Sequence, residues 1–321
     1  MSTLQRITRK TSLSSIQLTK RDVEIFKALH RFTVLTTEQI VALVGGGPVN
    51  VGKRLRILFD HGYLARPAVQ QDMFRYAEKR PLISALGSKG AQYLREVEGY
   101  ILPPTVNWDR KANSRGGIRG EVKLRHDIGA NSVVIALEQA LRGIEGLEVC
   151  NEAEILKQAP EGTKKASKPF SIPCRYTWTD GAVYERNVIP DGTLAYIDTR
   201  HEKPIRAMLF IEYDREMDVR RSNPRDSSIL QKIACYSALH LAQTPKQRFG
   251  FDYFRVLFVT TGSETHLGTM VEACKDYREG HFKKIPPYPF YFATREDFDM
   301  VEIPVSDLWV DGSGRPDRSL V

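Results

Sequence analysis

Residues 187–236 read NVIPDGTLAYIDTRHEKPIRAMLFIEYDREMDVRRSNPRDSSILQKIACY, and this stretch decides the fold predicted for the larger part of the chain. Its apolar runs Val188–Ile197 and Ala207–Tyr213 are typical of strands, and the polar turn between them predicts an antiparallel hairpin. After a polar break at residues 223–226, Ser227-Ser228 can cap a helix over Ile229–Leu241. The stretch therefore predicts two paired strands followed by a helix.

The predicted hairpin carries three carboxylates that strand pairing would bring to one end. Asp191 lies in a Pro-Asp pair near the start of the first strand, and Glu212 and Asp214 close the second. Lys232 and Tyr236, four residues apart, share one face of the following helix. Hard cations such as Mg²⁺ or Mn²⁺ bind carboxylate oxygens, and a bound metal polarises a phosphoryl group and activates water. We expect Asp191 and Glu212 to bind the metal and Lys232 to stabilise charge on a phosphate.

This arrangement resembles the motif of the PD-(D/E)xK nuclease superfamily. Asp191 stands as the first acid and Glu212 as the second, while Asp214 occupies the position at which the motif has lysine. Lys232 resembles the relocated lysine of some branches of the superfamily. The resemblance implies a metal-dependent nuclease with Asp191, Glu212, Asp214 and Lys232 as catalytic residues. Asp214 is either a further metal ligand or a residue that pairs with Lys232 or Arg215 and holds the fold.

Length and composition are those of a soluble globular protein. The 321 residues suffice for two domains, and the chain is 41% hydrophobic and 27% charged, which is ordinary for this class. The sequence has no run of about 18 apolar residues and no apolar segment behind its basic N-terminus. We therefore expect neither a membrane span nor a signal peptide, a cytoplasmic location, and reduced thiols at Cys150, Cys174, Cys235 and Cys274.

Charge is distributed unevenly along the chain. Residues 1–120 carry 20 Lys and Arg against 9 Asp and Glu, a net charge of +11. Residues 121–321 carry 27 against 30, a net charge of −3. Such local basicity is typical of a nucleic-acid-binding module attached to a second domain.

The N-terminal third has the pattern of a helix-turn-helix. Residues 1–17 are polar and basic, and we expect a disordered arm. Thr19 to Asp22 resembles a capping box that opens an amphipathic helix, and further helices are predicted over Glu38–Val44 and Val49–His61. Short strands are predicted at 63–66, 74–77 and 82–86, with a helix at 88–96. The segment LRILFDHGYLARP resembles the recognition-helix end and wing start of winged-helix regulators, so we predict a winged-helix DNA-binding domain over residues 18–98.

Double-stranded DNA is the expected partner of this domain. A recognition helix meets the major groove near its N-terminal half, and four polar side chains lie there in the third helix: Asn50, Lys53, Arg54 and Arg56. Arg66 and Arg75 on the wing are expected to hold phosphates, which positions a protein without specifying sequence. The alternative is a solvated basic face on a winged helix that binds protein. A homodimer that reads paired half-sites is one arrangement that such modules adopt.

Residues 99–120 read as a linker, and a nuclease-like domain is predicted over residues 121–310. Its first element is a helix over Val122–Arg142, in which His126 and Glu138 interrupt an apolar stripe. Glu138 is either a further metal ligand or an exposed charge, and His126 is more often a satisfied histidine than a ligand.

Strand signals recur through this domain. We predict a first strand over Leu147–Leu156, a strand buried on both faces over Arg255–Thr261, and a last strand over Pro289–Ala293. A helix is predicted from Thr265 to Tyr277, and residues 311–321 are expected to form a frayed tail. The alternation predicts an α/β fold with a mixed β-sheet flanked by helices.

The order of these elements resembles the replication-relaxation family of plasmids and mobile elements. Members join an N-terminal winged helix to a restriction-endonuclease-like domain, and the resemblance covers about residues 18–300. Five residues match its pattern, with His126 at the histidine of the first helix: Asp191, Glu212, Asp214, Lys232 and Tyr236. The resemblance implies a DNA-binding protein of plasmid replication, relaxation or mobilisation that works with other replication or mobilisation proteins.

Three functions fit these observations. The first is a Mg²⁺- or Mn²⁺-dependent DNA endonuclease or nickase. The second is a non-catalytic DNA-binding accessory protein or transcriptional regulator that keeps the nuclease fold, and the net charge of −3 on the second domain favours it because polyanion-binding sites are usually basic. The third is a repressor with a ligand-sensing domain, which explains none of the carboxylates.

Overall fold

The structure is a computed structural model that describes residues 8–10, 15–67, 69–70, 82–100, 120–221, 223, 226–281, 289–302, 304–316 and 318–321. The chain divides into two compact units, Met1–Ile135 and Ala136–Val321, and each contains its own β-structure. Within the described ranges, no helix combines the length and the hydropathy that a bilayer span requires.

The N-terminal unit combines helices with a small antiparallel sheet. The sheet has the order β1-β3-β2 and is formed by β1 (Val34–Thr36), β2 (Leu64–Ala65) and β3 (Ile83–Leu86). Among the described residues, these helices accompany it: α1 (Lys20–Phe32), α2 (Thr37–Val44), α3 (Pro48–Asp60) and α4 (Ser88–Glu96). The strand predicted at 74–77 lies outside the described residues.

Local capping signals set the starts of these helices. The capping box predicted before α1 is present, because Asp22 N–H donates to the Thr19 side chain and Thr19 N–H donates to the Asp22 carboxylate. A second capping box, of Thr36 and Gln39, opens α2. Pro48 is the first residue of α3, where its missing N–H costs no hydrogen bond. These helix starts match the sequence prediction to within a residue.

A long helix, α5 (Gly120–Arg142), follows, and the boundary between the compact units falls inside it. Its first part is bonded to the N-terminal unit. Asn131 Nδ2 donates to Phe32 O at 3.1 Å and to Val34 O at 2.8 Å. Gln39 Nε2 donates to Ile128 O and to Ser132 Oγ, both at 2.8 Å. Asn131 therefore satisfies two backbone carbonyls of a domain that the sequence prediction ended at residue 98, and Gln39 of that domain donates to α5 in turn.

The larger unit is a mixed α/β structure around a six-stranded sheet with the order β11-β10-β9-β8-β7-β4. Its strands are β4 (Leu147–Cys150), β7 (Gly192–Asp198), β8 (Ile205–Asp214), β9 (Tyr253–Thr260), β10 (Phe290–Thr294) and β11 (Val310–Asp311). The predicted hairpin is present as antiparallel β7 and β8, and β8, β9 and β10 are parallel. A separate antiparallel pair is formed by β5 (Ile172–Thr177) and β6 (Val183–Val188).

Helices complete this unit: α6 (Glu152–Gln158), α7 (Glu161–Lys164), α8 (Ile229–Leu241), α9 (Thr244–Phe249), α10 (Glu264–His281) and α11 (Arg295–Met300). A core cluster of the unit includes Phe210, Phe258 and Phe292 from the sheet and Tyr236 from α8. The Phe258 and Phe292 rings stack with centroids 5.2 Å apart. Full burial of such a side chain stabilises the fold by roughly 1.5–3 kcal/mol, so this face of the sheet fixes α8 firmly.

Two predicted strands in the larger unit are interrupted. The strand predicted over Leu147–Leu156 ends at Cys150, because Asn151 and Glu154 form a capping box that starts α6. The strand predicted over Val188–Ile197 begins only at Gly192, and Val188 belongs to the β5–β6 pair instead. Pro190, which has no N–H to donate to a strand ladder, lies in the break.

The prediction of a frayed C-terminal tail is wrong. Asp311 pairs with Tyr291 of β10, and Arg318 N–H donates to Trp309 O at 2.9 Å. The Leu320 side chain is fully buried, and its carbonyl accepts a hydrogen bond from Tyr196 Oη. The sequence prediction missed this segment because its few apolar residues, spaced irregularly, show neither period 2 nor period 3.6.

Candidate functional site

The β7–β8 hairpin holds the first two predicted acids at one end of the sheet. Gly192 is paired with Ile211, and Asp191 N–H donates to Ile211 O at 2.9 Å. Tyr213 N–H in turn donates to Asp191 Oδ2 at 3.0 Å. Asp191 therefore lies beside the strand segment that carries Glu212, as the sequence pattern predicts.

Glu212 is bound by both polar residues of the following helix. Lys232 Nζ lies 2.5 Å from Glu212 Oε2, and Tyr236 Oη donates to Glu212 Oε1 at 2.5 Å. The spacing of four residues on α8 places both side chains over one carboxylate. Ser228 caps this helix by accepting from Gln231 N–H. The structure thus brings Lys232, Tyr236 and Glu212 into direct contact.

Burial governs the ionisation of this cluster, since the Glu212 side chain is 1% exposed and that of Lys232 is 18% exposed. Burial raises the pKa of Glu212 above its ordinary value, and the nearby Lys232 charge opposes the rise while the Asp191 charge adds to it. For Lys232, burial acts to lower the pKa, but the charges of Glu212 and Asp191 outweigh it and the net pKa is raised. Asp191 is therefore close enough to act on both residues, and Lys232 keeps its charge.

Tyr236 is a protonated donor in this cluster. Burial, followed by the charge of Glu212, raises the pKa of its phenol well above the ordinary value. A phenol that remains protonated donates its hydrogen to the Glu212 carboxylate and orients it.

Asp214 makes a different set of contacts from its neighbour Glu212. Its carboxylate is 1% exposed and accepts from Thr260 Oγ1 at 2.7 Å and from His266 Nε2 at 2.9 Å. The backbone N–H groups of Glu216 and Met217 donate to it at 3.1 and 2.9 Å. These bonds join the ends of β8 and β9 to the start of α10, so they favour the interpretation of Asp214 as a residue that holds the fold.

His266 is the site residue that sequence reasoning missed. The sequence marked it only as the start of a helix, whereas the structure places its ring against Asp214. Thr260 is paired with Asp214 across the parallel strands β8 and β9. Parallel strands end at the same edge of a sheet, so the segment after β9 lies beside Asp214, but the sequence alone does not show that β8 and β9 are paired.

The two acids that the sequence assigns to a metal supply a small donor set. The described residues contain no group of three or more His, Cys, Asp or Glu side chains arranged to hold a metal ion. Mg²⁺ is commonly bound through one or two carboxylates, with water and substrate phosphate as the other ligands. Asp191 and Glu212 supply two carboxylates, the number that such a site uses, but both oxygens of Glu212 are bonded to Lys232 and Tyr236.

Glu138 and His126 make local contacts within α5. Glu138 Oε1 accepts from Arg142 Nη2 at 2.9 Å, one helical turn away. His126 Nδ1 lies 3.4 Å from Asp127 Oδ1. Glu138 is buried rather than exposed, and its ion pair with Arg142 accounts for the burial of its charge.

Among the residues predicted to contact DNA, three arginines take part in contacts within the N-terminal unit. Arg54 forms a bidentate ion pair with the fully buried Asp22, at 2.9 and 2.6 Å. Arg56 pairs with Asp60 at 2.9 Å, and the Arg66 guanidinium lies 4.5 Å from the centroid of the Phe59 ring. Asn50 and Lys53 are exposed on α3, and Arg75 lies outside the described residues.

Fold and site together define a mixed α/β protein that carries a carboxylate–lysine–tyrosine cluster at one edge of a six-stranded sheet. A protein-family model described as replication-relaxation matches residues 26–252, more than two thirds of the chain. The chain belongs to the replication-relaxation family, which indicates a function related to plasmid replication or relaxation. No curated protein and no solved structure matches it.

Proposed function

We propose that the protein is a DNA-binding nickase or endonuclease of plasmid replication, relaxation or mobilisation. The observation that carries this proposal is the convergence of Asp191, Glu212 and Lys232 from two strands and a helix. In this proposal the larger unit is restriction-endonuclease-like, and its acids meet DNA at the edge of the sheet. Membership of the replication-relaxation family supports the plasmid role.

Each residue of the cluster has a distinct part in the proposed reaction. A Mg²⁺ or Mn²⁺ ion bound by Asp191 and Glu212 would polarise the phosphate and activate water. Lys232 holds a positive charge beside the acids, where negative charge develops on the attacked phosphate. Tyr236 fixes one oxygen of Glu212 and so fixes the direction of the other. Asp214 keeps the ends of β8 and β9 together through Thr260.

DNA binding in this proposal belongs to the N-terminal unit, interpreted as a winged helix. The net charge of +11 on residues 1–120 supports it, because basic modules attract the phosphate backbone. Asn50 and Lys53, exposed on α3, are the proposed groove contacts. Arg54, Arg56 and Arg66 have partners inside the unit, so their proposed role is to position α3 and the adjoining strand rather than to read bases.

Plasmid cleavage tests the proposed activity. Supercoiled or linear DNA is incubated with Mg²⁺ or Mn²⁺ and one protein: the wild type, Asp191→Asn or Glu212→Gln. Each of these two substitutions keeps the shape of the side chain and removes its charge. Glu148→Gln, at an exposed glutamate on β4, is the matched control. We expect metal-dependent nicking by the wild type and the control, and none by the two site variants. Nicking that survives in both site variants would place the activity elsewhere.

A second candidate function is a non-catalytic DNA-binding accessory protein, which acts with replication or mobilisation proteins or as a homodimer. It is favoured by one observation: both oxygens of Glu212 already have partners in Lys232 and Tyr236. A buried carboxylate held in this way is also what a purely structural ion pair looks like. Intact DNA binding without cleavage in all four proteins would support this candidate.

A further inference from the structure

The larger unit contains a cavity at the end of the sheet opposite to the acids. Its lining includes the first residues of β8 and β9, whereas Glu212 and Asp214 lie at the other end of β8. We call this cavity the strand-start pocket. Its volume is about 420 Å³, within the range of small-molecule sites. Seven lining residues matter for its chemistry, and one of them is an acid: His240, Lys246, Asp252, Tyr253, Phe254, Arg255 and Tyr291.

Arg255 gives the strand-start pocket a positive charge that no carboxylate of the described residues contacts. Its guanidinium donates to Tyr196 Oη and lies 5.7 Å from the centroid of the Tyr291 ring. Within the part of the chain that the structure describes, no carboxylate lies within 4.0 Å of it. Lys246, at the pocket's rim, is paired with Asp252 at 3.0 Å. A guanidinium held by phenols alone retains its attraction for an anion.

Aromatic rings surround this charge. Tyr253 is 63% exposed, although it is a large residue at the start of a central strand. Phe254, the next residue, packs edge-on against His240 with ring centroids 5.6 Å apart. Burial lowers the pKa of His240, so its ring is neutral at physiological pH and adds to the aromatic wall. An exposed tyrosine beside a cation is the arrangement on which nucleic-acid bases stack.

A second cavity, of about 360 Å³, shares Tyr291 with the strand-start pocket and extends the positive surface. Its lining contains three arginines and one acid: Arg278, Arg315, Arg318 and Asp311. Asp311 Oδ2 lies 2.8 Å from Arg315 and 3.8 Å from Arg318. The lining therefore carries a net charge of +2, whereas residues 121–321 as a whole carry a net charge of −3.

The backbone beside the pocket is strained. Gln243, which lines the pocket between α8 and α9, has φ 50° and ψ 35°, in the left-handed region that side chains other than glycine rarely adopt. Strain of this kind persists where the surrounding structure enforces it, and it concentrates at binding sites. Gln243 is the residue before α9, the helix that carries Lys246.

We propose that the strand-start pocket binds an unpaired nucleotide, with its base on Tyr253 and its phosphate beside Arg255 and Lys246. The adjoining cavity takes the next phosphate of the strand. A base within a duplex keeps both faces stacked on its neighbours, so only an unpaired base can stack on Tyr253. The choice of a DNA strand as the source rests on the proposed function, because separation of the strands beyond a nick exposes unpaired bases. A free nucleotide presents the same base and phosphate.

Fluorescence anisotropy of a labelled oligo-dT measures its binding to the full-length protein and so tests this proposal. Excess unlabelled duplex DNA is present to saturate the N-terminal unit. Tyr253→Ala and Lys246→Ala change exposed side chains, so both variants should fold. Met300→Ala and Arg175→Ala, at side chains that are 80% and 73% exposed outside the pocket, are matched controls. We expect Tyr253→Ala to weaken binding at least about fivefold, as for loss of one stacking residue. The controls should stay within about twofold.

Competition with thymidine monophosphate separates the two sources of the nucleotide. Displacement of the oligonucleotide from the wild type by the monophosphate would support a free nucleotide as ligand, and its failure to displace would support a DNA strand. Wild-type affinity of Tyr253→Ala and Lys246→Ala for both ligands would overturn the proposal. If the wild type does not cleave plasmid but its oligonucleotide binding depends on Tyr253, only the nickase proposal fails. Cleavage with unaltered oligonucleotide binding in both variants refutes only the pocket.

Discussion

Replacing Lys232 by methionine should expose the cost of the buried Glu212 carboxylate. The variant keeps the aliphatic bulk of the side chain but removes the ammonium 2.5 Å from Glu212 Oε2. Glu212 is 1% exposed, so its charge would lose its main compensation without gaining water. Removal of one partner from a buried ion pair typically costs about 3–5 kcal/mol. For a unit of this size, that loss lowers the melting temperature by roughly 6–20 °C.

The pH dependence of this loss identifies its cause. Without Lys232, the folded-state pKa of Glu212 rises further above its ordinary value of 4.5. A carboxyl group with a raised folded pKa binds more protons folded than unfolded, so the stability of the variant falls as pH rises through the folded pKa. The deficit relative to wild type should therefore be largest near pH 8 and shrink towards pH 5.

Urea unfolding, followed by circular dichroism at pH 5 and pH 8, measures this effect. Lys203→Met, at an exposed lysine in the β7–β8 turn, is the control and should change stability little. Glu212→Gln combined with Lys232→Met removes both charges of the buried pair and should recover most of the loss. A deficit below about 1 kcal/mol at pH 8, or one that is equal at both pH values, would refute the reasoning.

Two further predictions concern residues whose roles the structure separates. Asp214→Asn removes the charge of a carboxylate that accepts hydrogen bonds from Thr260, His266 and two backbone N–H groups, so it should lower the unfolding free energy by about 1–3 kcal/mol. Asp299→Asn, at a side chain that is 53% exposed, is the control and should leave the unfolding free energy nearly unchanged. Lys53→Ala should weaken duplex binding and reduce the salt dependence of that binding without lowering the melting temperature. Arg54→Ala should lower the melting temperature, because it leaves the buried Asp22 carboxylate without its guanidinium partner. Equal behaviour of the last two variants in both assays would contradict the distinction.

Much of the larger unit's fold could be predicted because its signals are local. The helix over Ile229–Leu241 has the predicted bounds, since a serine cap and a polar break precede it. The antiparallel pairing of β7 and β8 follows from two apolar runs and a short turn. By contrast, the apolar pattern predicted a strand across the start of α6. The capping box at Asn151 starts a helix there, and it outweighs a strand signal of only a few residues.

The site shows the same division between local and distant information. The contact of Lys232 and Tyr236 with Glu212 was predictable from helical spacing once the strand and helix were assigned. The contact of His266 with Asp214 joins residues 52 positions apart, and it depends on parallel pairing that the sequence does not display. The Arg54–Asp22 ion pair likewise spans 32 positions, so an arginine that resembles a DNA reader proved to have a partner in the fold.

The bonds from α5 to the N-terminal unit set the shortest fragment that can be excised and studied alone. A fragment cut at residue 98 lacks Asn131, whose side-chain amide donates to Phe32 O and Val34 O. It also strips Gln39 of both partners on α5. A negative DNA-binding result with such a fragment would therefore report the loss of these bonds and would not test its basic surface. Truncation for binding studies should therefore keep the chain through at least Ile135, the last residue of this compact unit.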